Sequence, residues 1–139
     1  MREPSLQCGA KAPTYRFTWL RTFHHPLVVR VTRDGGAIRV VAIELDGAGG
    51  YGPGKILRHI TRSVAPGKWT EFQRSVEQLT ISKTDERRGA DGSEWIFEFR
   101  TDADYRAIQV WRPESGPART LGELFLSLAG IVVPTGERY

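Results

Sequence analysis

The run Gly49-Gly50-Tyr51-Gly52-Pro53-Gly54-Lys55-Ile56 has the glycine and lysine spacing of a loop that wraps backbone amides around a nucleotide phosphate. Such a loop needs a Ser or Thr directly after the lysine to hold magnesium. It also needs a following helix whose free amides and dipole bind the anion. Here Ile56 stands in the hydroxyl position, and residues 55–64 alternate in polarity as a strand does. The overlapping Gly47-Ala48-Gly49-Gly50-Tyr51-Gly52 has the spacing of a dinucleotide fingerprint, but it lacks the same helix. The next acidic residue is Glu71, inside a predicted helix rather than at the end of a second strand. Both patterns therefore read as one glycine-rich turn opened by Asp46, with Tyr51 in its middle, and no cofactor is expected.

The three histidines are His24, His25 and His59. Adjacent side chains on a strand point to opposite faces, so His24 and His25 are poorly placed to share a metal, and no helical His-x-x-x-His pair or cysteine cluster completes a site. Pro26 directly after them marks a strand edge or a loop. No strained nucleophile turn is present for Ser-His-Asp chemistry. The enzymatic reading that remains is a small hydrolase-like protein with His24 or His25 as base and a strand carboxylate such as Glu98 as its partner.

A basic stripe runs through Lys55, Arg58, His59, Arg62 and Lys68, with Tyr51 and Trp69 near it in sequence. Arg58, Arg62 and Lys68 would carry nonspecific nucleic-acid binding if they shared one open surface with a stacking ring. Trp69 is needed by a helix core, which leaves only Tyr51 to stack, so nucleic acid is not the expected partner. Trp111-Arg112-Pro113-Glu114 ends a predicted strand and would leave an aromatic and an arginine at a rim, the residue types favoured at protein interfaces.

These residues must be positioned by the surrounding elements. A chain of 139 residues with 40% apolar and 26% charged residues suits one globular domain with one core. Residues 1–14 contain Pro4, Gly9 and Pro13 without periodicity and read as a flexible arm, with the domain spanning 15–134 and a tail at 135–139. Alternation predicts strands over 15–21, 27–32 and 37–45, the last two joined by a tight turn at Arg33-Asp34-Gly35-Gly36. After the loop 46–54 and a strand over 55–64, Trp69, Phe72, Val76 and Leu79 recur at helical spacing, predicting a helix over 66–79 opened by Pro66. Residues 84–93 read as a loop, and residues 95–100 and 105–112 form a second hairpin. Leu121, Leu124, Phe125 and Leu128 then stripe a second helix that Gly130 terminates. The class is α+β: an antiparallel sheet of five to six strands with two helices on one face, in the order β-β-β-β-α-β-β-α.

The net charge is +4, with eleven Lys/Arg against four Asp/Glu in residues 1–69 and nine against twelve in residues 70–139. The longest apolar runs fall far short of a membrane span. The N-terminus lacks the apolar stretch of an export signal, so the chain as written is expected in the cytoplasm, or exported only if a signal precedes it. The single cysteine, Cys8, forms no internal disulfide.

Residues 15–31, Leu45-Asp46-Gly47-Ala48-Gly49-Gly50-Tyr51, Asp91-Gly92-Ser93-Glu94-Trp95-Ile96, residues 105–116 and residues 121–131 together resemble a group of uncharacterised bacterial proteins. The resemblance covers most of the chain and implies the strands, helix, hairpin, helix order. It carries no activity, and it assigns no residue a role. The residues themselves favour a non-enzymatic binding or protein-interaction domain. Its contact surface is expected at the glycine-rich loop and a rim of His24, His25, Asp46, Tyr51, Trp111 and Arg112, with a protein as partner.

Overall fold

The computed structural model of the chain describes residues 3–9, 12–82, 89 and 91–139. Six strands form one open antiparallel sheet: β1 (Thr14–Arg21), β2 (Leu27–Asp34), β3 (Ala37–Leu45), β4 (Ile56–Val64), β5 (Ser93–Arg100) and β6 (Tyr105–Trp111). Their order across the sheet is β4-β3-β2-β1-β5-β6. Four strands run as a meander, and the β5–β6 hairpin then adds to the free side of β1. Helices α2 (Lys68–Ile81) and α3 (Gly116–Ala129) supply the second layer. This is the α+β architecture and element order that the periodicities predict.

The core follows from those periodicities. Along β5 every second residue is buried, and Trp95, Phe97 and Phe99 alternate with Glu94, Ile96 and Glu98 because successive side chains leave opposite faces. Tyr15, Phe17 and Trp19 lie opposite them in register. Phe17 and Phe97 stack at 5.0 Å between ring centroids, Trp19 and Trp95 meet at 5.0 Å, and Phe72 of α2 meets Phe125 of α3 edge-on at 5.1 Å. Each such contact adds roughly 0.5–1.5 kcal/mol beyond area burial. The aromatic surface of the strands is therefore covered by the two helices.

Three boundaries differ from the sequence reading. Pro66 and Gly67 stay outside α2, in a turn whose carbonyls at Ala65 and Pro66 accept from Lys68 and Trp69 N–H; the helix begins at Lys68. Residues 3–9, expected as a loose arm, include a one-turn helix α1 (Leu6–Gly9) with Leu6 buried. Glu3 pairs with Arg30 at 3.0 Å, and the Pro4 carbonyl accepts from Arg16. These residues cover the sheet face opposite α2 and α3, which is why β1 is buried on both faces. Residues 135–139, expected to trail away, form a 3₁₀ turn (Thr135–Glu137) and return to the sheet. Most of the expected loop at 84–93 lies outside the described residues.

The terminator of α3 is as expected. Gly130 adopts φ 68°, its N–H reaches the Ser127 carbonyl, and Ile131 N–H reaches that of Leu126 at 2.9 Å. This closes the helix with a left-handed glycine and a 6→1 bond. The Arg62 guanidinium from β4 fills the space beside Gly130, a favourable place for a cation at a helix C-terminus.

Candidate functional site

Because every neighbour in the sheet is antiparallel, one end of it collects the connections that carry the sequence candidates. Segment 22–26 joins β1 to β2, 46–55 joins β3 to β4, 91–92 leads into β5, and 112–115 leaves β6. The return of residues 135–139 ends at the same place, where the Tyr139 main-chain oxygen accepts from Trp19 Nε1 and from the Ser93 hydroxyl.

The glycine-rich segment is a tightly bonded loop. Asp46 N–H meets the Lys55 carbonyl at 2.9 Å, Gly47 N–H that of Pro53 at 3.2 Å, and Ala48 N–H that of Gly52 at 3.0 Å. The Asp46 carboxylate accepts from Lys55 N–H at 2.7 Å. The loop folds back onto the end of β1, where Gly49 N–H donates to the Arg21 carbonyl at 2.8 Å. A side chain at Gly49 would strike the Arg21 backbone, and one at Gly47 would strike that of Gly52, which accounts for glycine at both. Strand β4 follows directly rather than a helix, and these amides are already engaged. The loop is built as a turn and offers no phosphate cradle.

Its tip holds Tyr51 outward. The ring is 79% exposed and lies 6.5 Å from that of Phe23, itself 59% exposed. Ile56 and Leu57, the first residues of β4 beyond the same loop, are 62% and 55% exposed. Phe23 and Leu57 are isolated apolar residues beside loops and carry no periodic signal, and Ile56 enters the sequence reading only as the residue in the hydroxyl position.

The two histidines separate. His24 Nδ1 meets the Tyr139 hydroxyl, while His25 Nδ1 lies 3.2 Å from Glu44 Oε1. Glu44 also receives Arg58 at 2.8 Å. The carboxylate that faces a histidine is thus Glu44. Glu98 sits on the opposite sheet face, held by Arg16 at 2.6 Å and by the Tyr105 hydroxyl at 2.8 Å. Burial would raise the Glu98 pKa, but the Arg16 and Tyr105 hydrogen bonds and the Arg16 charge outweigh it and hold the carboxyl below its ordinary range. Among the described residues, no three His, Cys, Asp or Glu side chains converge as a metal site requires.

Beneath this surface Arg21 is the organising cation. It is 3% exposed, donates to Glu137 at 3.0 Å and twice to the His25 carbonyl, and lies over the Trp19 ring at 4.8 Å. Burial lowers its pKa against the opposing pull of Glu137. One side chain therefore ties together the end of β1, the histidine turn and the return segment.

Trp111 and Arg112 lie at the same end but over β6, two strand spacings or about 10 Å from β1. The Trp111 ring packs against Gly89 and Gly92, and Gly92 takes φ 146° to pass beneath it. Arg112 turns the chain with φ 39° and donates its N–H to the Ser93 carbonyl at 2.9 Å. Trp111 is thus half-buried packing. Three of the five residues of the basic stripe are also engaged: Arg58 on Glu44, Arg62 beside Gly130, and Lys68 3.5 Å from Glu71.

Comparison with family models, with curated proteins and with solved structures returns no match. No helix among the described residues is long and apolar enough to cross a membrane.

Proposed function

We propose that this chain is a protein-interaction domain that engages its partner through the loop end of the sheet, centred on Tyr51 and Phe23. The observation that carries this reading is the pair of rings itself: two aromatic side chains, each more than half exposed, on segments fixed to one another by the Gly49–Arg21 bond. Exposing such rings costs hydrophobic free energy that a bound surface would recover, and a rigid loop loses little entropy on binding. Asp46 serves the loop, and His24 and His25 anchor its neighbours.

A photo-activated benzophenone side chain in place of Tyr51, introduced into the chain in its own cells, tests the reading. It is expected to give one discrete covalent adduct that Phe23→Ala removes. The same group at Ile81, an exposed apolar residue on α2, is expected to give none. No adduct from position 51, or equal adducts from both positions, rejects the proposal.

A further inference from the structure

Strand β4 is one edge of the sheet, with β3 on one side and no strand on the other among the described residues. An edge strand turns half of its backbone N–H and C=O groups away from the sheet, where they template a further strand. Natural edges are blunted by short length, by proline, by charged side chains, by bulges or by a covering element. Here β4 has nine residues, no proline and exposed side chains at seven of its nine positions. Its register shift lies at its start, opposite Glu44 and Leu45, and its charges are of one sign, which discourages a second copy but not an acidic strand. The opposite edge, β6, is reached from outside the sheet, where Arg106 donates to the Thr80 carbonyl of α2.

Charge selects what fits. From Lys55 to Lys68 the chain carries Lys55, Arg58, Arg62 and Lys68 and no carboxylate. Glu44 reaches Arg58 from the neighbouring strand, Glu71 reaches Lys68, and Arg62 lies beside the partial negative charge of the α3 C-terminus, which offsets it only in part, so the edge stays cationic. A second copy of β4 would set arginines against arginines, and like charges across a ladder are destabilising. Ile56 and Leu57 are exposed on successive residues and so lie on opposite faces of the strand. We infer that β4 receives an extended acidic segment of the partner protein, added as a seventh strand, with carboxylates across from Arg58 and Arg62 and apolar residues over Ile56 and Leu57. The inference rests on the interaction reading above and names the partner's chemistry.

Selection of random displayed peptides on the intact chain, followed by amide hydrogen exchange of the complexes, tests it. Selected peptides are expected to carry Asp or Glu at alternate positions and to slow exchange along β4. Arg58→Glu is expected to weaken them roughly tenfold or more through like-charge contact. Because Arg58 also holds Glu44, His59→Glu adds the same charge to the edge from the opposite strand face, at an exposed side chain that makes no ion pair among the described residues, and is expected to weaken the peptides in the same direction but by less. An enriched pool without acidic excess, acidic peptides that leave β4 exchange unchanged, or no enrichment overturns the inference. So does concentration-dependent protection of β4 in the chain alone with a doubled mass by light scattering, which would assign the edge to a second copy. Adducts from position 51 alongside an unprotected β4 would remove this inference and leave the interaction reading standing. Protected β4 amides without such adducts would keep the strand-adding edge and move the partner's contact off Tyr51 and Phe23.

Discussion

Arg16 and Glu98 face each other across the β1–β5 ladder and meet fork to fork, Nε to Oε2 at 2.6 Å and Nη2 to Oε1 at 2.7 Å. Both side chains are largely buried under residues 3–9, and Tyr105 completes the carboxylate's partners. Two parallel charge-assisted bonds fix the geometry more firmly than a single contact. The Glu98 pKa is depressed on folding, so its stabilisation is complete above the ordinary carboxylate range and is lost as pH falls through the lower folded-state value. Thermal melts of the parent are therefore expected to fall between about pH 5 and pH 3 more steeply than those of Glu98→Gln. Glu98→Gln itself is expected to cost up to about 3 kcal/mol at neutral pH, because it leaves Arg16 with only the more distant Glu3 carboxylate, at 3.7 Å. Parallel melting curves for the two proteins over that pH range would exclude the pair as a source of acid sensitivity.

The surface of α3 gives a test with an unusual sign. Replacing a helical glycine by alanine ordinarily stabilises by roughly 1 kcal/mol. At Gly122, however, the space a Cβ would take is already filled by the six-membered ring of Trp95. That ring is locked between Trp19 and Phe17, with Arg119 over it at 5.4 Å. Gly122→Ala is expected to destabilise by about 1–3 kcal/mol through overpacking, read as a lower denaturant midpoint. A raised midpoint would mean that α3 does not sit this closely on β5.

Much of the fold was legible because its signals are local. The aromatic alternation in Tyr15–Leu20 and Trp95–Arg100, the Asp34-Gly35-Gly36 turn and the stripe Leu121–Leu128 each report the face a residue must turn to the core. The packing of Leu6 was not legible, since one apolar residue without a repeat has no period to read. The site was visible only as a collection of parts. Antiparallel connections bring Asp46, Tyr51, His24, His25, Trp111 and Arg112 to one end of the sheet. Their partners, however, come from distant segments, Tyr139 for His24 and Glu137 for Arg21, and no spacing in the sequence encodes such meetings.

The glycine-rich loop separates conformational need from mere composition. Gly49 lies against the Arg21 backbone, whereas Gly52 has open space where its side chain would be. Gly49→Ala is expected to break the Gly49–Arg21 bond and lift the loop, abolishing adducts from position 51 and speeding exchange of the 46–55 amides. Gly52→Ala is expected to leave both unchanged, within about 0.5 kcal/mol of parent stability. Equal behaviour of the two variants would show that the loop does not depend on its seat against β1.

Trp69 poses the last test. Its ring anchors α2 against Tyr15 of β1 at 5.6 Å, beside Phe72 of the same helix at 5.5 Å, and Arg33 lies over it at 5.1 Å. Its indole N–H, however, is buried with no acceptor among the described residues. An orphaned buried donor costs roughly 1–3 kcal/mol, while truncating a packed ring to a smaller one loses apolar contact of similar size. Trp69→Phe removes the orphan together with part of the ring, so the two terms oppose. The variant is expected to remain within about 1 kcal/mol of the parent, whereas Trp69→Leu, which also forfeits the edge-on contact with Tyr15, the tilted one with Phe72 and the cation above the ring, is expected to fall by about 2–3 kcal/mol. Denaturant melts of the two proteins decide the point: a Phe variant as unstable as the Leu variant would mean that the indole N–H contributes to the fold rather than burdening it.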